Sequence, residues 1–303
     1  MKQVVTEHSF AMIEAESEAN NSGQAVDLYL PEPKSVRTLM KLPEKVRRDW
    51  LSAVKHELKN LITNQTFNIK EKPKLGEQVI PTMIVFKAKT NSPGKLDKLK
   101  ARCCARGDLQ KELPDEDNWS SCIAQRTLRM FIAFITKKGR RSKQLDFIGA
   151  YLQANMQSRI FVRLQVDYMK FFPEYSQYFQ KPLLLNKTLY GLTVSAKFWN
   201  IELTSWLLKN NFKSVSQSRA DPSLFIWNNG QGEWLVFIFY VDDGLYCGND
   251  ERIENDFFKK LSSRFQVEAK GYAHWCEKGK NTLRSFYLWA NNGLKFTYGD
   301  RWY

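Results

Sequence analysis

Two apolar rhythms run along the chain. From Pro43 to Asn64 apolar residues recur every three to four positions, placing Trp50, Val54, Leu58 and Leu61 on one face, so a helix is predicted. Downstream the period shortens. The apolar stretch 83–86 and the run 100–106 read as two strands of a hairpin, turning around Ser92-Pro93-Gly94. A second helix is expected from Thr127 to Lys137, then a strand from Lys143 to Phe147, a short helix from Gly149 to Asn155 and a strand from Ile160 to Val166. An aromatic segment, 168–182, has no clear period. A helix follows from Ser195 to Asn211, with Phe198, Trp199, Leu203, Trp206 and Leu207 inward. A hairpin at 223–248 and a helix from Glu251 to Phe265, capped by Asn249 or Asp250, close the pattern. Strand, helix, hairpin, helix is most of a split βαβ unit. The expected class is therefore α+β, an antiparallel sheet backed by helices. Residues 1–40 are acidic, contain Ser, Asn and Gly, then Pro31 and Pro33, and read as a poorly ordered or peripheral tail.

Composition narrows the classes. The 303 residues are 43% hydrophobic, with nine Trp, 12 Tyr and 20 Phe, enough for a substantial core. No run of 18 apolar residues suggests a membrane span, and the N-terminus lacks a charged-then-apolar leader pattern, so an intracellular protein is expected. Cys103, Cys104, Cys122, Cys247 and Cys276 form no CxxC pair, which argues against a zinc site or a disulfide framework. The formal charge of +14 is unevenly placed: residues 1–40 are net −3, whereas 41–110 hold 16 basic against seven acidic side chains. Such a bias suits a polyanionic partner, most simply nucleic acid, although a solvated basic surface has the same composition.

The hairpin holds an anomaly. In FIFYVDDGLYCGN (237–249) an apolar run is broken by the adjacent acids Asp242 and Asp243. Buried carboxylates need pairing, hydrogen bonds or a metal, and two neighbours repel. They are best placed at the hairpin tip, with Gly244 easing the backbone. Asp146, in KQLDFIGAYL, is the natural third acid, and if its strand neighbours the hairpin, three carboxylates converge. An all-oxygen cluster suits Mg²⁺ and two-metal phosphoryl transfer. On residues alone the plain reading also stands, since Asp-Asp-Gly is ordinary turn composition.

The string Tyr240-Val241-Asp242-Asp243 and its flanks resemble the active-site box of reverse transcriptases. Other segments agree in order: WLSAVKHELKNLITNQTF (50–67), VFKAK and GKLDKLKARCCARGDLQ (85–110), TLRMFIAFI, QLDFIGAYLQA (144–154), KTLYGLTVSAKFW (187–199) and FKSVSQSRADPSLFIW (212–227). Over residues 43–268 the chain is similar to the copia-type LTR-retrotransposon polymerase in particular. The resemblance implies a right-hand polymerase with a tail at 1–40, fingers at 41–125, a palm at 126–270 and a divergent segment at 271–303. It implies RNA-directed DNA polymerase activity: addition of deoxynucleotides to a primer 3′-OH on an RNA or DNA template. Asp146, Asp242 and Asp243 would hold two Mg²⁺, or Mn²⁺ in their place. Tyr151 would exclude the ribose 2′-OH. Lys100, Arg102, Arg106 and Tyr240 would face nucleotide or template, and Gly191 would let backbone approach the incoming base. A cytoplasmic virus-like particle is the compartment implied.

Departures from the family pattern are concentrated in two places. Thr193, Val194, Ala196 and Lys197 stand where Lys-Gln and a Pro-Arg pair are usual, and after about Lys270 the primer-positioning strand is not recognisable. The thumb is therefore expected to be partial or absent, with a partner chain or further polyprotein segments completing it. Three alternatives follow: a nucleic-acid-binding remnant without turnover, another Mg²⁺-dependent nucleotidyl transferase or cyclase, and a scaffold that binds no nucleic acid. Individually, Tyr151 could be core, Lys100 and Arg102 a solvated strand face, and Gly191 the start of a helix.

Overall fold

The computed structural model describes residues 26–90, 95–111, 120–214 and 221–273. Its helices are α1 (Val36–Leu39), α2 (Glu44–Thr63), α3 (Gln125–Lys137), α4 (Ala150–Gln153), α5 (Ser176–Phe179), α6 (Ser195–Lys209) and α7 (Glu251–Arg264). Strands are β1 (Phe67–Asn68), β2 (Val79–Thr90), β3 (Leu96–Ala105), β4 (Lys143–Phe147), β5 (Phe161–Arg163), β6 (Leu183–Leu185), β7 (Lys213–Ser214), β8 (Leu224–Asn228), β9 (Trp234–Tyr240), β10 (Asp243–Gly248) and β11 (Val267–Tyr272). The architecture is mixed α/β with two sheets, in the orders β1-β6-β5-β2-β3 and β11-β4-β10-β9-β8-β7. No helix among the described residues is long and apolar enough to cross a membrane.

The six-stranded sheet is antiparallel throughout its paired strands. One face carries Leu145, Phe147, Phe237, Phe239 and Tyr246, all buried against the side of α6 and α7. Rings there meet edge-on: Trp199 lies 4.9 Å from Phe147 and 5.6 Å from Phe265. Such pairs add about 0.5–1.5 kcal/mol each beyond area burial. The other face carries Val236, Ile238, Leu245 and Cys247, which pack with Leu128, Phe131 and Ile135 of α3. Both faces are thus covered, which explains why β9 is apolar at nearly every position rather than alternating.

The five-stranded sheet is built on the long β2–β3 hairpin. Its apolar side packs on α2, where Trp50 is fully buried and edge-on to Phe86 at 5.2 Å. The outer edge of β3 is closed by two acceptors: Cys103 N–H donates to buried Glu57 Oε1 at 2.9 Å and Ala105 N–H to Tyr190 O at 2.7 Å. Helix α2 therefore seals an edge that would otherwise invite strand pairing.

Three expectations need correction. Residues 26–40 are not a loose tail. Tyr29 and Leu39 are buried, Tyr29 Oη donates to Asp49 Oδ2 at 2.8 Å, and Glu32 pairs with Lys87. The apolar partner Trp50 lies twenty-one positions on, beyond any local pattern. The strand expected at 160–166 forms as β5, but it pairs in parallel with β2, so the five-stranded sheet takes strands from either side of residue 125. Gly244 does not relax a turn. It lies within β10, and a Cβ there would sit 2.7 Å from Leu145 Cδ1 and 2.8 Å from Phe237 Cε2. Its smallness is needed for strand packing. The turn expected at 92–94 and the segment beyond 273 lie outside the described residues.

Candidate active site

The acid turn is short. Tyr240 pairs with Asp243, so Val241 and Asp242 alone connect β9 to β10. Val241 has φ 53, in the left-handed region that a β-branched side chain rarely occupies. Strain of this kind costs of order 1–3 kcal/mol and persists only when surroundings enforce it. Two hydrogen bonds do so: Trp199 Nε1 donates to Val241 O and Phe147 N–H to Asp242 O, each at 2.7 Å.

β10 lies beside β4 in a register that sets Asp243 directly opposite Asp146. Cross-strand partners share a face, so these two carboxylates project from the same side of the sheet. Asp242, in the turn, is close enough to act on Asp146 electrostatically. Burial pushes the Asp146 carboxyl above its usual range and Asp242 adds to the rise, while Lys270, Lys100 and Lys89 oppose it. The donor set, carboxylate oxygens only, fits a hard divalent cation. As they stand, no three or more His, Cys, Asp or Glu side chains among the described residues are grouped closely enough to hold an ion.

Lys100 and Lys89 of the β2–β3 hairpin lie near enough to Asp146 to act on its charge. Register pairs Lys87 with Lys100 and Lys89 with Lys98 directly across the strands. Like charges so placed destabilise a sheet, and an anionic ligand would relieve them. Lys100 is half-buried, and its amine is pushed down to about 8 by burial, then by Arg102 and Lys89, against the pull of Asp146 and Asp242. Arg102 lies over the Tyr190 ring, 5.3 Å from its centroid, with its buried Nε lacking a hydrogen-bond partner among the described residues. Arg106 is engaged elsewhere: its Nε and Nη2 grip Asp108 at 2.8 and 2.6 Å.

Tyr151 is half-buried, 5.4 Å edge-on to Tyr190, and its carbonyl accepts Thr188 Oγ1 at 2.5 Å. Tyr240 is half-buried on the α3-covered face. Gly191 has φ 86, and a Cβ there would lie 2.2 Å from Ala105 O. The backbone approaching it in this structure is the chain's own, at the end of β3. The structure thus sets Asp243 opposite Asp146 with Asp242 in the adjoining turn, places Lys100 within electrostatic reach of Asp146 and Asp242 with Arg102 acting on it in turn, and packs Tyr151 on Tyr190. It leaves Arg106 tied to Asp108. In the sequence Trp199 belongs to the inward face of the 195–211 helix pattern, and nothing local marks Lys270. An indole N–H aimed at a turn carbonyl leaves no local signal. Lys89 was visible only as one of many basic residues on the hairpin.

A family model described as reverse transcriptase (RNA-dependent DNA polymerase) matches residues 64–275. The chain is 28% identical over 228 residues to the retrovirus-related Pol polyprotein from transposon RE1 of Arabidopsis thaliana, covering 75% of this chain and 15% of that protein. It is 25% identical over 243 residues to the corresponding polyprotein from transposon TNT 1-94 of Nicotiana tabacum, covering 80% and 18%. The Ty1-LR2 Gag-Pol polyprotein of Saccharomyces cerevisiae matches at 25% over 248 residues. The chain spans only 15% and 18% of the length of the Arabidopsis and Nicotiana polyproteins.

Proposed function

The chain belongs to the reverse transcriptase family, in the branch carried by copia-type retrotransposons, and from that premise we propose that it extends a primer 3′-OH with deoxynucleotides on a nucleic-acid template. The six-stranded sheet is the palm. Residues 41–125, joined by β5 and β6, supply a fingers-like unit, and the rest of 126–270 the palm. The observation that carries this reading is the register that sets Asp243 opposite Asp146, with Asp242 in the adjoining turn.

Asp146, Asp242 and Asp243 would hold two Mg²⁺ ions. Bound there, the ions supply charge neutralisation and orientation for an in-line phosphoryl displacement. The protein's own residues do the positioning. Lys100 and Arg102 receive the triphosphate, and the Lys–Lys pairs of the hairpin draw a polyanion into the space facing Asp146. Tyr151, braced on Tyr190, stands where a ribose 2′-OH would be excluded. Tyr240 shares the sheet face of Asp146 and Asp243, and Gly191 holds the loop bearing Tyr190 against β3.

A second reading, nucleic-acid binding without turnover, is favoured by Arg106 being occupied by Asp108. Primer extension and filter binding on the same preparation separate the two. The polymerase reading expects Asp242→Asn to abolish extension while leaving template-primer binding within about twofold, since phosphate contacts dominate affinity. Extension by that variant at the wild-type rate would overturn the site. Binding with no extension by the unaltered chain would establish the remnant.

A further inference from the structure

Trp199 does more than fill the core: we propose that its indole N–H fixes the acid-bearing turn relative to the Asp146 strand, making it a positioning residue for the carboxylates. The inference rests on the polymerase reading and adds to it a residue that never touches substrate. Three contacts define the arrangement. Trp199 Nε1 donates to Val241 O at 2.7 Å, its ring lies edge-on to Phe147 at 4.9 Å, and Phe147 N–H donates to Asp242 O at 2.7 Å. One side chain on α6 therefore touches both carriers of carboxylates: the β9–β10 turn through a hydrogen bond, and β4 through the residue next to Asp146.

The turn needs such a hold. Val241 sits at φ 53, and a β-branched residue leaves that region once its surroundings loosen. Trp199 is 1% exposed, so water cannot replace the bond it makes. The contact also has an upstream connection. Ser195 Oγ at the start of α6 donates to Leu189 O at 2.6 Å, tying the helix to the loop that bears Tyr190 and Gly191. Position 199 is about one helical turn further on, so a displacement of that loop reaches the acid turn through the indole.

The test is Trp199→Phe, which removes the donor and keeps an aromatic ring, made alone and together with Val241→Gly, which removes the backbone strain. Hydrogen exchange of the Phe147 amide is read first, because it reports the turn whether or not the chain polymerises. Trp199→Phe is expected to speed that exchange about tenfold and to lower kcat about tenfold, with little change in template-primer binding, as the loss of one buried hydrogen bond implies. Adding Val241→Gly should return more than half of both losses. Exchange unchanged by Trp199→Phe, or losses of the same size with and without Val241→Gly, would overturn the proposal. Should Trp199→Phe fail to fold, substitution of 3-benzothienylalanine keeps the tryptophan shape without its N–H, and the same outcomes decide. Absence of extension by the unaltered chain would count against the polymerase reading alone, since the exchange measurement still rules on Trp199.

Discussion

Lys100 offers a test in which removing a charge should strengthen the fold. Its amine is pushed from 10.5 to about 8, chiefly by burial and then by Arg102 and Lys89. The folded protein therefore surrenders this proton at lower pH than the unfolded chain does. Between about pH 8 and pH 10.5 the unfolded state holds more protons, so stability rises with pH across that window. Below it the full penalty remains. At about 1.4 kcal/mol per unit, the charged amine costs about 3 kcal/mol at pH 7 and only about half that at pH 9.5. Lys100→Met keeps the apolar stem and removes the charge. Urea unfolding followed by tryptophan fluorescence should find the variant more stable at pH 7, with its advantage shrinking by about 2 kcal/mol at pH 9.5. Because only the difference between the two proteins is used, other titrating groups cancel to first order. An advantage that is constant between the two pH values, or a wild type that is the more stable at pH 7, would refute the reasoning.

Gly191→Ala should destabilise by more than about 3 kcal/mol, because the new Cβ meets a backbone oxygen that cannot move aside and the backbone stands at positive φ; a thermal midpoint within about 2 °C of wild type would show that the loop relaxes freely. Glu57→Leu leaves the Cys103 N–H without its acceptor, whereas Glu57→Gln retains one; the leucine variant should be the less stable by about 1–3 kcal/mol in urea unfolding. Tyr151→Val should relax discrimination against ribonucleotides in single-nucleotide incorporation, and unchanged sugar selectivity would remove Tyr151 from the site.

Most elements were legible because their periods are local. Trp50, Val54, Leu58 and Leu61 share a helical face, and Lys143–Phe147 forms the strand its residues suggest. The meeting of Asp146 with the acid turn was also foreseeable once strand, helix and hairpin were placed in order. What escaped was whatever depends on a distant partner. Tyr29 is buried only because Trp50 receives it. β5 joins the other sheet because β2 runs past its neighbours to pair with it. Gly244 was assigned to the turn for its backbone freedom, yet it is required by two side chains on neighbouring strands, and the left-handed residue is Val241. Arg106, two residues from an acid of matching reach, was held by Asp108 rather than left for a ligand.

The lysine pairs facing each other across β2 and β3 have one more consequence. Two rungs of like charge stand across β2 and β3, and at one of them the Glu32 carboxylate pairs with Lys87. An anion lodged at those rungs would offset repulsion that the ladder itself carries. Sulfate or polyphosphate should then slow amide exchange at Lys87, Lys89 and Lys100, and exchange indifferent to either would show that the rungs carry no net strain.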